Sequence, residues 1–379
     1  MPNTLNNLIP GLYTAMDVVS REQTGLIAAV TLDASASRAA LNQTVISPVA
    51  PDAVIGDITP GVDGSEGLQN VKRIELTITK SRSARITWNG EEELALSSAG
   101  TFPALFQNQI QQGFRGLCKE VENDLAMLYK TSSRAYGTAG TTPFAADMSD
   151  TANILKILND NGAPTGDQQL VINTTAAAKL RSLGMVTKVN EAGDASLARQ
   201  GILLDMHGFA MRESAAIRTK TKGDGAGYLV NKPTPGVLAI GETVIPVDTG
   251  TGAIEAGDIV TFNGDPNKYV VSSGLSGGAF TIAAPGLLKL TNDNVAVTVG
   301  NSYTANMAFA RSAIVLAART PAIPSLGDSA HDRTIITDPV SNLSFDIAVY
   351  RQYHQVTFEI GLAWGVTMAK SEHAALLLG

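Results

Sequence analysis

The chain of 379 residues is poor in the side chains that most often carry chemistry, since it contains one cysteine and four histidines. The single cysteine, Cys118, excludes a disulfide within the chain, and its apolar neighbours in a helical pattern predict a buried thiol. The four histidines are scattered along the sequence, and no two have a spacing suited to a metal ion; they are His207, His331, His354 and His373. We therefore expect no metal site and no cofactor.

Long apolar runs and a dominant basic charge are also missing. Nowhere do about 18 apolar residues follow one another, and residues 1–10 lack a basic stretch followed by an apolar core, so we expect a soluble protein that is not exported. The formal net charge of −7 argues against a dedicated nucleic-acid-binding protein, because phosphates are neutralised by a concentrated basic surface. With 44% hydrophobic residues, the chain can bury a large core divided into two or three domains.

The strongest pattern is a helical one from Thr101 to Ser132. Apolar residues recur there at steps of three and four and predict one long amphipathic helix. These residues are Phe102, Leu105, Phe106, Ile110, Phe114, Leu117, Val121, Leu125 and Leu128. Glu122 and Asp124 are assigned to the opposite, polar face. Glu91 to Glu93 come just before the helix, where acidic side chains favour the positive end of the helix dipole.

The carboxy-terminal region has a period of two. Val356 to Met368 places seven large apolar side chains on one face of a predicted strand, and Leu343 to Val349 repeats the pattern upstream. A sheet with one apolar face needs a cover. We predict that the long helix lies across these strands.

An extended hairpin is predicted from Leu41 to Trp88, with a tip rich in proline, glycine and aspartate at Ala50 to Gly67 and a single long strand at Val71 to Trp88. Its second half carries a basic cluster in an otherwise acidic chain. The cluster consists of Lys72, Arg73, Lys80, Arg82 and Arg85. Two interpretations stay open: a solvated strand face, or a charged arm that contacts an acidic surface of another subunit, where opposite charges fix the register.

Before this hairpin, a helix is expected within residues 3–31, with Leu12, Met16, Val19 and the apolar run Leu26 to Val30 as docking residues. After the long helix, alternating elements predict an α+β region. They are a helix at Asp150 to Leu158, a strand at Gln169 to Ile172, a helix at Thr174 to Leu183 and a strand at Gly208 to Glu213.

Residues 236–300 consist of short strands separated by turn residues, which predicts a small β-barrel or sandwich inserted into the surrounding fold. The strands are expected at Val237 to Ile240, Val244 to Val247, Ile259 to Phe262, Tyr269 to Ser272, Phe280 to Ile282 and Val295 to Val299. An amphipathic helix is expected after them, at Ala305 to Ala318.

Three motifs suggest chemistry but have structural explanations. Asp248-Thr249-Gly250 follows Val247 as in the active-site loop of aspartic proteases, but that mechanism needs two carboxylates sharing a proton, and the chain has no second copy. The glycine-rich segments Gly223 to Gly227 and Ser273 to Gly278 do not join a buried strand to a helix, so they predict turns. The loop Asp248 to Asp258 and Asn292 to Asn294 lack the spacing of a calcium loop.

The order of these parts resembles a known family. The chain is similar to tailed-bacteriophage major capsid proteins of the Hong Kong 97-type, or Johnson, fold, and more narrowly to the podovirus coat group with an inserted β domain. The resemblance covers nearly the whole chain and is strongest at Asn3 to Val30, Val71 to Gly90, Gly116 to Tyr129 and Leu362 to Leu377. The resemblance depends on the order and the patterns of these segments taken together, since the family has no short invariant motif.

The resemblance implies an α+β fold with defined parts. These are an amino-terminal arm (1–40), an extended loop that reaches a neighbouring subunit (41–90), a peripheral domain (91–143) with its spine helix (101–132), an axial domain (144–330) interrupted by an all-β insertion domain (228–302), and returning peripheral strands (331–379). It also implies a non-enzymatic shell protein that forms hexamers and pentamers of an icosahedral virion capsid. Assembly in the host cytoplasm with a scaffolding protein and a portal would enclose double-stranded DNA, with no membrane.

Two alternatives remain. An encapsulin-like compartment shell shares the fold, although encapsulins usually lack an inserted β domain. An aspartic protease acting through Asp248 is the enzymatic alternative, and it would require dimerisation.

Overall fold

The structure is a computed structural model that describes residues 12–13, 15–16, 25–49, 72–98, 102–184, 205–232, 236–338 and 341–379. The predicted hairpin tip at Ala50 to Gly67 and the predicted docking residue Val19 lie outside this part of the chain. Among the described residues, no helix is long and apolar enough to cross a membrane.

Five α-helices are described, and the longest is where the periodicity predicts it. The helices are α1 (Leu26–Ala29), α2 (Gly90–Ser98), α3 (Phe102–Ala126), α4 (Ser149–Asp160) and α5 (Thr174–Arg181). A 3₁₀ turn over Met127–Thr131 continues α3. At about 1.5 Å per residue, the 25 residues of α3 span roughly 37 Å.

The three glutamates are placed differently from the prediction. Glu91, Glu92 and Glu93 form the first turn of α2, a separate helix ahead of α3. Asn89 Oδ1 accepts a hydrogen bond from the Glu92 amide at 2.8 Å, and Glu92 Oε2 accepts one from the Asn89 amide at 3.3 Å. This reciprocal capping explains why the helix begins here.

Twenty-two strands are described, and most of them lie in two large sheets. The first eight are β1 (Thr31–Ala39), β2 (Thr44–Val49), β3 (Lys72–Thr77), β4 (Lys80–Asn89), β5 (Arg134–Tyr136), β6 (Gln168–Ile172), β7 (Phe209–Glu213) and β8 (Thr219–Lys220). The next eight are β9 (Tyr228–Val230), β10 (Val237–Leu238), β11 (Val244–Asp248), β12 (Ile259–Phe262), β13 (Lys268–Ser276), β14 (Ala279–Ile282), β15 (Thr291–Asn292) and β16 (Ala296–Val299). The last six are β17 (Tyr303–Ala310), β18 (Ile314–Pro321), β19 (Ala330–Thr337), β20 (Ser344–Gln352), β21 (Gln355–Met368) and β22 (Ala374–Leu378).

The main sheet is organised around the 14-residue strand β21. Gly361 of β21 pairs with both Ser83 of β4 and Asp346 of β20, while Ala363 pairs with both Ser81 of β4 and Arg319 of β18. Strand β4 therefore occupies one edge of β21, and β20 and β18 follow each other along the opposite edge. Strands β19 and β1 extend the sheet beyond β20 and β18.

Two predicted elements are wrong. The single strand Val71 to Trp88 is divided at Ile78 and Thr79: β3 pairs with β2 in a hairpin, whereas β4 pairs with β21. The amphipathic helix at Ala305 to Ala318 is instead parts of β17 and β18, joined by a short 3₁₀ turn. Both strands are buried on both faces, so their sequence lacks the alternation that identifies a half-buried strand.

The second sheet carries the α+β region and has the predicted order of helices and strands. Its strands run β5, β22, β17, β6 and β7, and β6 and β7 are parallel, as are β5 and β22. Helices α4 and α5 pack on it around an apolar core that includes Ile154, Leu158, Leu170 and Leu180. Asn173 caps α5 by accepting a hydrogen bond from the Ala176 amide at 2.9 Å.

The short strands after residue 227 form a closed six-stranded barrel. Its strands pair in the order β12, β16, β9, β11, β14 and β13, and β13 pairs back with β12. The barrel has its own apolar core, which includes Val230, Ile245, Val260, Tyr269 and Val271. Strand β13 also pairs with β5, which joins the barrel to the second sheet. The barrel alternative of the sequence prediction is therefore the one found.

Candidate functional site

The apolar stripe of α3 lies across the main sheet, as the sequence predicts. Phe106 packs edge-on against Phe358 with ring centroids 4.7 Å apart, and Phe114 packs against Phe345 at 5.0 Å. Fully or nearly buried side chains of α3, β20 and β21 belong to one core. Leu105 departs from the prediction because it is 38% exposed. The helix and the sheet thus form one packed unit.

Close contact between the two layers depends on Gly113 of α3. A Cβ atom at this position would lie 3.1 Å from Cδ1 of Ile360 and 3.4 Å from Cβ of Ala84. The absence of a side chain lets the helix backbone approach β21 and β4, at the cost of a weaker helix propensity at that residue.

The polar side of α3 is not wholly exposed, which the sequence interpretation missed. Glu122 is 2% exposed. Its carboxylate accepts hydrogen bonds from the backbone amides of Leu26 at 3.1 Å and Ile27 at 2.9 Å, and from Oγ of Ser214 at 2.8 Å. One buried carboxylate therefore joins the start of α1, the long helix and the segment after β7.

Burial controls the acidity of Glu122. Desolvation raises the pKa of its carboxyl group, and the hydrogen bonds from Ile27, Ser214 and Leu26 oppose this rise. Desolvation disfavours the ionised form, whereas donors that point at the carboxylate favour it. The local sequence around Glu122 holds no signal for this site, because its partners lie more than 90 residues away along the chain.

The amino-terminal docking residues are found where the sequence predicts them, as far as the chain is described. Leu12 and Met16 are 2% and 1% exposed, and both belong to the core beneath α3. Leu26, Ile27 and Val30 belong to the same core. The amino-terminal region is thus attached to the long helix by apolar packing as well as by Glu122.

The predicted basic cluster divides into two groups. Lys72 and Arg73 lie on β3 of the hairpin, and their side chains are outside the described part. Lys80, Arg82 and Arg85 lie on β4 and have partners within the chain.

These three residues differ in their distance from the acidic partner and in the exposure of their side chains. Lys80 Nζ lies 2.7 Å from Asp124 Oδ1, Arg85 Nε lies 2.9 Å from Glu359 Oε2, and Arg82 Nε lies 3.7 Å from Glu120 Oε2. The Arg82 and Arg85 side chains are 60% and 67% exposed, and such surface pairs contribute at most about 1 kcal/mol. Both guanidinium groups are accessible to a second molecule, and their contact with another subunit stays a prediction.

Strands β2 and β3 form a hairpin that is a two-stranded sheet separate from the main sheet. The two strands pair from Thr44 and Thr77 to Val49 and Lys72, and within the described residues neither strand pairs with a third. Leu41 and Ile46 are 55% and 54% exposed. A two-stranded ribbon with two open edges is marginally stable on its own and invites pairing with another chain.

The junction between the barrel and strands β8 and β17 includes several polar contacts. Asp258 is 1% exposed, accepts hydrogen bonds from the amides of Gly223 and Glu255, and lies 3.5 Å from Lys220 Nζ. Tyr303 donates its hydroxyl proton to the carbonyl of Gly257 at 2.6 Å. These contacts fix the barrel against β8 and β17.

The protease-like motif lies in a turn of the barrel. Asp248 ends β11 and has Leu229 as its ladder partner, and Thr249 has a φ of 57°. A Cβ atom on Gly250 would lie 2.3 Å from the ring of Tyr228. The turn is packed against this ring, which leaves no room for a side chain at residue 250.

The remaining candidate groups are the possible metal ligands, Cys118 and a glycine pair in the barrel. Within the described ranges, no group of three or more histidine, cysteine, aspartate or glutamate side chains could hold a metal ion. Cys118 is buried, as predicted, and burial with the charges of Asp338 and Glu122 raises the pKa of its thiol to about 12. The Gly277-Gly278 pair forms the turn between β13 and β14 with φ angles of 61° and 80°, which are readily available to glycine.

The comparisons with known proteins give structural matches. No protein-family model matches the chain. No curated protein sequence matches it. The chain is similar to the capsid of cyanophage P-SCSP1u, with 13% identity and a TM-score of 0.46 over 92% of this chain and 86% of that chain.

Two further structures are similar over most of the chain. A structure from Mycobacterium phage Che8 has 14% identity and a TM-score of 0.44 over 89% of this chain and 85% of that chain. A virus-like particle from Pyrococcus furiosus has 10% identity and a TM-score of 0.42 over 97% of both chains. The chain is thus similar in structure to subunits of a phage capsid and of a virus-like particle.

Proposed function

We propose that this chain is the major subunit of an icosahedral shell of the Hong Kong 97 type, assembled as hexamers and pentamers and enclosing the DNA of a tailed phage. Its role is structural and non-enzymatic. The observation that carries the proposal is the hairpin of β2 and β3, which leaves the main sheet and has both edges unpaired within the described residues. Such a ribbon is marginally stable on its own, and its open edges would be stabilised by contact with a neighbouring subunit.

The rest of the peripheral unit supports this role. A helix of 25 residues packed across a sheet gives a rigid body from which the hairpin extends. Arg82 and Arg85 stand on β4 immediately after the hairpin, and both are exposed. Charged groups at such positions fix the register of a contact between subunits more than they add to its affinity.

The amino-terminal segment supports the same proposal. It is held on the long helix by Leu12, Met16 and the Glu122 hydrogen bonds, so it lies beside the unit that would form the shell wall. The net charge of −7 is compatible with DNA that is confined by the shell instead of being bound by it.

The wider set of partners follows from the proposal. A scaffolding protein and a portal would take part in assembly in the host cytoplasm, and the mature location is the virion capsid. The domain limits predicted from the sequence belong to the same proposal, with the barrel as the insertion domain between residues 228 and 302. A cellular compartment shell remains the alternative to be separated by the contents of the particles.

The direct test is to purify the full chain and examine it by sedimentation and negative-stain electron microscopy. We expect closed particles of uniform diameter, tens of nanometres across. Particles that contain DNA after infection support a virus, whereas particles that contain a protein cargo support a compartment. Stable monomers under all assembly conditions, with or without a scaffolding protein, would show that the chain is not a shell subunit.

A further inference from the structure

The base of the hairpin crosses the main sheet at Gly365 of β21. A Cβ atom at Gly365 would lie 2.0 Å from the carbonyl oxygen of Thr77 and 3.2 Å from Cα of Ile78. Outside its own residue and the two chain neighbours, a real Cβ atom essentially never comes within 3.0 Å of a heavy atom. Gly365 is not among the glycines with a positive φ, so close backbone approach explains the glycine here.

A platform of small side chains surrounds this crossing point. We use the name platform for Ala317, Ala363, Gly365 and Ala369, which lie on β18, on β21 and just beyond β21. Leu76 and Ile78 of the hairpin base are 2% and 0% exposed, and they share an apolar cluster with the three alanines. Large side chains on the platform would hold the hairpin away from the sheet.

Hydrogen bonds fix the same crossing. The amide of Thr79 donates to the carbonyl of Trp364 at 3.1 Å, which attaches the hairpin to β21 beside Gly365. The amide of Ile78 donates to the carbonyl of Gln43 at 2.9 Å, and the amide of Asn42 donates to the carbonyl of Ile78 at 2.9 Å. Both strands of the hairpin are therefore tied to one point of the sheet.

The far end of the hairpin is not fixed in this way. Thr77 and Lys72 are five residue steps apart, a distance of roughly 17 Å at about 3.3 Å per residue. Beyond the base, the described strands pair only with each other. A shift of about 1 Å at Thr77, which is the least that a Cβ atom on Gly365 requires, would tilt the whole ribbon.

We propose that Gly365 is a positioning residue for assembly: its missing side chain sets the direction in which the hairpin leaves the sheet, and this direction sets the curvature of the shell. The inference rests on the proposed function, because it assumes that the hairpin contacts a neighbouring copy of this chain. The copy that receives the hairpin must then lie at a fixed angle to the copy that supplies it.

The test uses the full chain with Gly365→Ala and the matched control Gly361→Ala. Gly361 lies on the same strand, and its Cβ would meet Cγ of Pro321 at 3.0 Å instead of the hairpin. Hydrogen exchange at the amides of Ile78 and Thr79 reports the hairpin base. Electron microscopy reports the diameters of the assembled particles.

We expect Gly365→Ala to fold, to exchange the Ile78 and Thr79 amides at least tenfold faster than the wild type, and to form particles of mixed diameter or open sheets. Gly361→Ala should keep wild-type protection at both amides and wild-type diameters. Wild-type particles from Gly365→Ala would overturn the inference, whether or not the amides lose protection.

A second variant covers the case in which Gly365→Ala does not fold. Leu76→Ala removes an apolar side chain of the hairpin base and so weakens its packing on the sheet without a steric clash. Hydrogen exchange at Ile78 and Thr79 and the particle diameters are then measured, and wild-type particles would again overturn the inference. If the wild-type chain forms no particles, the proposed function fails. The hydrogen exchange of Gly365→Ala then still shows whether Gly365 fixes the hairpin base.

Discussion

Asp124 of α3 accepts a hydrogen bond of 2.8 Å from the indole Nε1 of Trp364, a fully buried residue of the central strand β21. The other carboxylate oxygen of Asp124 lies 2.7 Å from Nζ of Lys80, the first residue of β4. One side chain therefore joins the long helix, the centre of the sheet and the strand that follows the hairpin. These contacts determine how the helix is seated on the sheet.

The Asp124 contacts can be separated by two substitutions. Asp124→Ala leaves the buried indole N–H without an acceptor, which costs about 1–3 kcal/mol of stability. Asp124→Asn keeps an oxygen acceptor for the indole and loses only the ion pair with Lys80, a partly exposed contact worth under about 1 kcal/mol. Urea denaturation measures both losses. Equal losses for the two variants would contradict the role of Trp364.

The burial of Glu122 predicts that its contribution to the stability of the folded chain changes with pH. Its folded-state pKa is raised above the ordinary value near 4.5, so the folded state holds the proton more tightly than the unfolded state does. The favourable contribution is complete below the ordinary pKa and is lost as the pH rises through the raised value. The stability of the wild type relative to Glu122→Ala should therefore decline as the pH rises above the ordinary pKa of a glutamate.

Denaturant titrations at several pH values measure this difference. Glu120→Ala is the control, since this glutamate lies on the same helix with a side chain 45% exposed and contributes under about 1 kcal/mol. A stability difference for Glu122→Ala that grows steadily as the pH rises would show that the hydrogen bonds from Leu26, Ile27 and Ser214 outweigh desolvation.

The elements that the sequence predicts correctly are those whose pattern is local. The stripe that includes Phe106 and Phe114 repeats at helical spacing, and Val356 to Met368 alternates strictly, so both the elements and their mutual packing could be predicted. The barrel strands are bounded by glycine and asparagine turns and were also predictable.

The features that could not be predicted depend on distant partners. The residues next to Glu122 in the sequence are those of an ordinary amphipathic helix and do not predict that this side chain is buried. Its burial depends on the segments that contain Leu26 and Ser214, which are far away along the chain. The predicted strand is divided at Ile78 because its two halves have different partners. The half before Ile78 continues the hairpin, where the Ile78 amide bonds to Gln43, and the half after it pairs with β21. Residues 305–318 have apolar side chains at nearly every position, which makes a buried strand and a buried helix alike in sequence.

We expect charge reversal of the exposed arginines of β4 to affect assembly and to have little effect on the folding of the subunit. Arg82→Glu combined with Arg85→Glu should change the stability of the subunit by no more than about 1–2 kcal/mol, since both pairs are at the surface, while closed particles should be lost. Circular dichroism and electron microscopy measure the two effects.

The control for this double variant reverses the same amount of charge elsewhere. Arg218→Glu combined with Lys222→Glu changes two residues that are exposed in the subunit, and this variant should assemble normally. Normal particles from the β4 variant would mean that Arg82 and Arg85 are only solvated.

Cys118 should be unreactive in the folded chain. The thiolate is the reactive form of cysteine, and burial raises the pKa of this thiol to about 12. An aromatic disulfide reagent at about pH 8 should therefore modify less than a tenth of the native chains, and it should modify one thiol per chain in denaturant. Rapid native modification would show that α3 separates from the sheet on the timescale of the reaction.

The place of the hairpin in an assembled particle can be measured by an electron cryomicroscopy reconstruction at side-chain resolution. We expect the ribbon of β2 and β3 from one subunit to lie on the sheet or helix of a neighbouring subunit, with Arg82 and Arg85 at the contact. A closed shell in which this ribbon contacts only its own subunit, or a purified chain that never forms a shell, would contradict the proposed function.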